Sequence, residues 1–204
     1  MFITFSMTLN SIRNFLNCII LMEMDLHRTE LWIYYYDIVA RVNEEVSLMF
    51  ERICVVGLGY IGLPTAALFA ARGVKVLGVD INPHVIEAVN LGNVHIIEPG
   101  LDILVKEGVS SQNLKAFSAP QEAEAYIIAV PTPFEECYIP DLTYVFEATR
   151  SLAPLLKKGD LVVLESTSPV GTTEKISKLL EELRPDLTFP HSEQETPDIH
   201  IAYC

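Results

Sequence analysis

The chain has 204 residues, with 14 Lys and Arg against 27 Asp and Glu, a formal net charge of −13. Half of it is hydrophobic, which excludes a mainly disordered chain and allows a sizeable core in one or two domains. So acidic a composition argues against a duplex-binding protein, which needs clustered Lys and Arg, but leaves room for one phosphate ligand held by backbone N–H groups.

Residues 1–48 read differently from the rest. Met1 to Met24 is apolar but broken by Asn10, Arg13, Asn14 and Asn17. Its longest uncharged internal piece, Asn14 to Met22, falls short of the about 20 apolar residues that span a bilayer. Arg13 splits the stretch and no small-x-small site follows, which argues against a signal peptide. Leu26–Met49 carries the aromatic cluster Trp32-Ile33-Tyr34-Tyr35-Tyr36 among scattered acids, and two or three short amphipathic helices fit there. A membrane-surface helix is the sharper reading, but the Lys/Arg-rich polar face it needs is missing. The plainer reading is an extension outside the domain, read from an upstream start codon. Met49, just before a strand, makes a natural first residue.

From residue 50 strands and helices alternate. Arg52–Val56 is a short apolar strand ending at Gly57, and Ile61–Arg72 is a helix stopped by Gly73. Val74–Val79 is a second strand, ending at Asp80. Pro83–Leu91 reads as a helix stopped at Gly92, and Leu101–Lys106 as a short helix entered through Glu98-Pro99-Gly100. Leu114–Phe117 and Tyr126–Val130 read as strands. Asp141–Lys157 reads as a helix with Asp141 as N-cap and Lys157 and Lys158 in the last turn, where cations suit the macrodipole. Leu161–Leu164 is a buried strand, Thr172–Leu183 a helix ended by Arg184-Pro185, and Leu187–Phe189 and Ile199–Tyr203 final strands. Continuously apolar strands separated by helices imply an α/β fold of Rossmann type, doubly wound on a mainly parallel sheet.

Gly57-Leu58-Gly59-Tyr60-Ile61-Gly62 is a G-x-G-x-x-G. Alone the motif is weak. Here it follows a strand, opens a helix, and is followed by an acid, Asp80, eighteen positions after its last glycine. Gly57 permits the tight turn, Gly59 lets a pyrophosphate approach the backbone, and Gly62 lets helix and strand pack closely. The helix N-terminus offers free N–H groups and partial positive charge. The plain alternative is a strand–turn–helix whose glycines serve packing. Asp80 accepts hydrogen bonds from ribose hydroxyls and repels a 2′-phosphate, and Ile81 and Asn82 supply no cation, so NAD is preferred over NADP. Its alternative role is to cap the next helix.

In open α/β sheets ligands bind outside the carboxyl ends of strands. Two more such ends carry unusual chemistry. Pro131-Thr132-Pro133 fixes a turn and leaves a hydroxyl facing the crevice. Glu165-Ser166-Thr167-Ser168-Pro169-Val170-Gly171-Thr172-Thr173 is dense in hydroxyls before a helix start. Either these groups line the nicotinamide and its ribose, or Thr172 or Thr173 is an N-cap. His84 and His95 read as surface or helix-cap residues. The cysteines are Cys18, Cys54, Cys137 and Cys204, which form no C-x-x-C pair and match neither a zinc site nor a disulfide framework. Cys54 reads as an inert core thiol, and Cys137 lies among acids that disfavour its thiolate. No metal site is expected, and a reducing, cytosolic compartment fits.

The run I-C-V-V-G-L-G-Y-I-G-L-P-T-A-A over 53–67 resembles the UDP-glucose/GDP-mannose dehydrogenase family. G-V-D-I-N (78–82), E-P-G-L (98–101), I-A-V-P-T-P-F (128–134), E-S-T-S-P-V-G-T-T-E (165–174) and P-D-I-H-I-A-Y-C (197–204) extend the likeness. Within the family it is most similar to the members that oxidise UDP-N-acetyl-D-mannosamine. The resemblance implies a C6 alcohol oxidised to a carboxylate with two NAD, the aldehyde stage held on a cysteine. It places cofactor contacts on Tyr60, Ile61, Asp80, Thr132 and Thr173 beside Gly57, Gly59 and Gly62. Val130, Pro131 and Ser166 line the same crevice, and Thr167 matches a threonine near the nicotinamide and the reacting centre.

The resemblance covers about residues 50–204 and leaves 1–48 outside. In the family a Pro-Glu-Arg continuation, a central helical region and a second nucleotide-binding domain follow. They hold the nucleophilic cysteine, a catalytic lysine and most contacts to the UDP-sugar substrate, and full-length members oligomerise. Residues 49–204 are therefore expected to be the NAD-binding portion of such an enzyme, without catalytic residues of its own beyond a supporting role for Thr167, and inactive alone. The alternatives are a stand-alone NAD-binding or partner-binding module, another small NAD-linked hydroxyacid dehydrogenase, or a relative acting on UDP-glucose or GDP-mannose.

Overall fold

The computed structural model describes residues 50–134, 140–190 and 196–204. The readings made for residues 1–48 and for Cys137 lie outside these. The elements are β1 (Arg52–Val56), α1 (Gly62–Ala71), β2 (Lys75–Val79), α2 (Pro83–Asn90), α3 (Leu101–Ser110), β3 (Leu114–Phe117), β4 (Ala125–Ile128), α4 (Thr143–Leu152), β5 (Leu161–Leu164), α5 (Thr172–Leu183) and β6 (His200–Tyr203). The six strands form one sheet in the order β3-β2-β1-β4-β5-β6, every neighbouring pair parallel. This is the doubly wound Rossmann order, with the reversal of strand order between β1 and β4. Among the described residues no helix is long and apolar enough to cross a membrane.

The strands are apolar on both faces because both are covered. Ile53, Val55, Ala125, Ile127, Leu161 and Val163 pack with Leu63, Ala66, Phe69 and Ala70 of α1, Val85 and Val89 of α2, and Leu101 and Val105 of α3. Their neighbours Cys54, Val56, Tyr126, Ile128, Val162 and Leu164 face the other way, onto Val145, Ala148 and Leu152 of α4 and Ile176 and Leu180 of α5. The alanine-rich α1 is buried on most of its circumference, as a helix apolar all round must be. Gly108 lies in α3, where a Cβ would stand 2.9 Å from Ala70 Cβ. That close approach to α1 keeps the glycine helical, and α3 runs to Ser110 rather than stopping at Lys106.

Two expected elements are corrected. The helix expected over Asp141–Lys157 covers only Thr143–Leu152, then tightens to a 3-10 turn over Ala153–Leu155 that contains Pro154. Its N-cap position is Leu142, while Asp141 Oδ1 accepts from the Thr143 N–H at 2.8 Å; bonds to Thr143 hold the carboxyl below its usual range. Arg150 stands in the last turn, and Arg184 reaches the far end from elsewhere, its Nη1 donating to the carbonyls of Ala153 and Leu156 at 2.8 Å each. Lys157 and Lys158 pair instead with Glu122 and Asp198. Leu187–Phe189 is not a strand. Thr188 N–H donates to Asp198 Oδ2 at 3.0 Å and Asp198 N–H to Thr188 Oγ1 at 2.8 Å, beside a single main-chain bond from the Ile199 N–H to the Thr188 carbonyl at 3.1 Å, while Leu187 and Phe189 fill the core.

Asp160 gives the fold a pH signature. It is buried before β5, with Oδ2 accepting from the Lys157 N–H at 2.8 Å. Burial pushes its carboxyl up to about 6, against the pull of that bond. A carboxyl raised above its unfolded value of about 3.9 contributes stability below that pH and loses it as pH rises through the folded value. Asp160→Asn keeps an acceptor for Lys157. It is expected to match the parent near pH 4 and to become the more stable by about 1–2 kcal/mol above about pH 7. Urea unfolding across that range checks this; a gap independent of pH would contradict it.

Candidate functional site

Because every strand runs the same way, the loops after β1, β2, β4 and β5 emerge along one edge of the sheet. The glycine loop turns at Gly57, whose φ is +97° and whose N–H donates to the Val79 carbonyl at 2.8 Å. A Cβ on Gly57 would meet the Ala129 carbonyl oxygen at 2.4 Å, and one on Gly62 the Gly57 oxygen at 1.8 Å. Both glycines are therefore demanded by the protein's own packing. Gly59 is different, since a Cβ there would meet nothing within 4 Å beyond its own chain neighbours. It opens onto free space at the start of α1, the place a pyrophosphate needs. Tyr60 and Ile61 follow it and are exposed.

Asp80 ends β2 beside this loop. Its Oδ2 accepts from the Leu58 N–H at 3.0 Å and its Oδ1 from the Asn82 N–H at 2.8 Å. The carboxylate is thereby fixed in direction, with lone pairs left on both oxygens. It does not cap α2. That work falls to Asn82, whose Oδ1 accepts from the His84 N–H at 3.0 Å.

Across the crevice the β4 and β5 loops are tied together. Thr132 Oγ1 donates to the Thr167 carbonyl at 2.8 Å. Ser166 is buried, and its Oγ donates to the carbonyls of Val130 at 2.8 Å and Ile128 at 3.2 Å. The protons of both hydroxyls are thus committed to protein, not offered to the crevice. Pro131 and Thr167 are exposed, Val130 and Thr173 partly so. Neither Thr172 nor Thr173 is an N-cap. Gly171, with φ +88°, holds that position, and Thr172 Oγ1 donates to the Pro169 carbonyl at 2.7 Å.

One functional side chain was missed in the sequence reading. Glu165, the residue after β5, turns its carboxylate under the crevice, where Oε1 accepts from Thr65 Oγ1 of α1 at 2.9 Å. The readable sign was a second acid ending a strand, as Asp80 ends β2. Cys54 is fully buried on the α4–α5 face and its thiol is pushed up to about 11 by burial, which makes it inert. His84 and His95 are exposed. Cations lie elsewhere: Arg52 pairs with Glu124 at the opposite edge, and no Lys or Arg occurs in 57–61, 80–82, 129–134 or 165–171. An anionic ligand at this edge would be held by backbone N–H groups and the helix dipole.

Comparison with known proteins places the chain among relatives. The profile of the UDP-glucose/GDP-mannose dehydrogenase family, NAD binding domain, matches residues 51–204. The chain is 57% identical over 157 residues to a UDP-N-acetyl-D-mannosamine dehydrogenase of Yersinia pestis, covering 77% of this chain and 37% of that protein. It is 53% identical over 163 residues to an NDP-N-acetyl-D-galactosaminuronic acid dehydrogenase of Ralstonia nicotianae, covering 80% and 38%. Among solved structures, the UDP-N-acetyl-mannosamine dehydrogenase of Staphylococcus aureus superposes with a TM-score of 0.67 at 38% identity, covering 75% of this chain and 36% of that one. The chain thus spans well under half the length of the relatives it matches.

Proposed function

The chain belongs to the UDP-glucose/GDP-mannose dehydrogenase family through its NAD-binding domain, and we propose that it holds NAD for the oxidation of UDP-N-acetyl-D-mannosamine to its uronate. The observation that carries the cofactor half is the open space over Gly59 at the start of α1, beside the fixed Asp80 carboxylate. The substrate half rests on the names of the relatives.

The residues present fit this cofactor. Gly57, Gly59, Tyr60, Ile61 and Gly62 form the pyrophosphate cradle and Asp80 takes the adenosine ribose. Val130, Pro131 and Thr132, with Ser166, Thr167 and Thr173, form the wall toward the nicotinamide. When bound, NAD supplies the hydride acceptor. The chain's own part is to bind and orient it, with Thr132 and Ser166 locking the wall to the strand ends and Thr167 nearest the reacting centre. The thiol and the sugar-nucleotide contacts are assigned to segments that the longer relatives possess, and residues 1–48 to an extension outside the domain.

Two measurements test the reading. Calorimetric titration should show NAD saturating one site per chain. Residues 51–204, exchanged for the matching part of the Yersinia pestis enzyme, should give a chimera that reduces NAD with UDP-N-acetyl-D-mannosamine. A chimera that binds NAD but leaves that sugar nucleotide unoxidised would overturn the substrate assignment. Absence of NAD binding in both proteins would overturn the cofactor assignment.

A further inference from the structure

We propose that Glu165 is a positioning residue that sets the nicotinamide-side loop against the pyrophosphate helix through its hydrogen bond to Thr65. The inference rests on the NAD reading above and concerns how the two halves of the cradle are held in register.

Glu165 is only 6% exposed and stands where β5 gives way to the Ser166–Gly171 loop. Its main chain is fastened to β4, since the N–H groups of Glu165 and Ser166 both donate to the Ile128 carbonyl, at 2.9 and 3.1 Å. Its side chain reaches the other way, to Thr65 Oγ1 at 2.9 Å, in the first turns of α1 and 100 positions earlier in the chain. Thr65 is also only 6% exposed. One residue therefore joins the pyrophosphate helix, the end of β4 and the start of the nicotinamide-side wall.

Packing alone does not require this. Burying a carboxylate is costly, and an apolar side chain of similar volume would fill the space without that desolvation. An apolar contact, however, tolerates sliding. A hydroxyl-to-carboxylate bond is directional and fixes distance to a few tenths of an ångström. The two halves already meet where the Ala129 N–H donates to the Val56 carbonyl at 2.8 Å, and the Thr65–Glu165 bond adds a directional restraint from α1 itself. The Thr132 and Ser166 bonds tie the β4 and β5 loops to each other. The Thr65–Glu165 bond ties that pair to α1.

The test separates positioning from mere stability by using two ligands. ADP carries the adenosine and diphosphate groups but never reaches the nicotinamide-side wall, whereas NAD spans both halves. Glu165→Ala and Thr65→Val are each expected to weaken NAD about tenfold while ADP stays within about twofold, the loss of one hydrogen bond to a charged group. Glu165→Gln keeps an acceptor for Thr65 and should rescue NAD affinity to near the parent value. The double variant Thr65→Val/Glu165→Ala should be no worse than Glu165→Ala alone, because that single variant already removes the Thr65–Glu165 bond. Thermal melts identify any variant that fails to fold, and Thr65→Val, nearly isosteric, stands in if Glu165→Ala does. Parallel loss of NAD and ADP across the folded variants, or unchanged NAD affinity, would overturn the inference. A parent chain that binds neither ligand would overturn the NAD reading itself and the inference with it.

Discussion

Gly59→Ala is expected to leave the protein as stable as the parent yet poorly able to hold NAD, whereas Gly62→Ala should lose both properties. The contrast follows from what a single methyl group meets. At Gly62 it would lie 1.8 Å from the Gly57 carbonyl oxygen, 3.0 Å from the Gly57 carbonyl carbon and 3.1 Å from Ala129 Cβ. Two of those atoms are main chain at the turn on which β1 and α1 meet, and neither can swing aside as a side-chain tip would. Separating β1 from α1 to make room costs more than about 3 kcal/mol, beyond the usual range for an overpacked core. At Gly59 the methyl meets nothing within 4 Å beyond its own chain neighbours, so the packing of the fold is left as it is. It would occupy the space the pyrophosphate approaches and cover the N–H groups at the helix start. A loss of about 2 kcal/mol or more, at least about thirtyfold in affinity, is expected. Thermal melts and NAD titrations of both variants decide the matter. A Gly59→Ala protein with parental NAD affinity would show that the phosphates lie elsewhere.

Asp80→Ala should remove most of the preference for NAD over NADP. The carboxylate is held in place by the N–H groups of Leu58 and Asn82, at 3.0 and 2.8 Å, so it meets a ribose in one fixed direction. Its loss removes a charge-assisted bond to the ribose hydroxyls, about 1.5–3 kcal/mol. It also removes the charge that opposes a 2′-phosphate, so NADP affinity should hold or rise while NAD affinity falls. Asp80→Asn separates the two effects, because it keeps one acceptor and loses the charge. It should recover part of the NAD affinity without restoring full discrimination. Leu58 N–H loses its acceptor in the alanine variant, so melts must accompany the titrations. If Asp80→Ala still rejects NADP as the parent does, discrimination lies outside this residue.

The strands and helices that were legible in the sequence are those whose cause is local. Leu161–Leu164 is a run of four apolar residues, and Thr172–Leu183 runs as a helix from Gly171 to Arg184-Pro185; both have those bounds in the structure. The glycine loop was legible for the same reason, since its turn, its opening and its packing glycine lie within six consecutive residues. Misreadings arose where a distant group decides. Arg184, 28 to 31 positions away, satisfies the carbonyls at which α4 tightens into its 3-10 turn. Asp198, ten positions on, holds the Thr188 N–H and hydroxyl in the segment read as a strand over Leu187–Phe189.

The sequence by itself therefore determined the class of fold, the parallel sheet covered on both faces, and the loop suited to a pyrophosphate. Each of these depends on residue type and spacing over a few positions: β-branched runs, glycines at a turn, an acid at a strand end. Only the tertiary structure decided which hydroxyls are spent on protein and which acids face one another. Thr132 and Ser166 give their protons to carbonyls 35 to 38 positions away, and Thr65 gives its own to Glu165 across 100 positions. A hydrogen bond is set by distance and direction in space, and nothing in the order of residues along the chain fixes either until the sheet has formed.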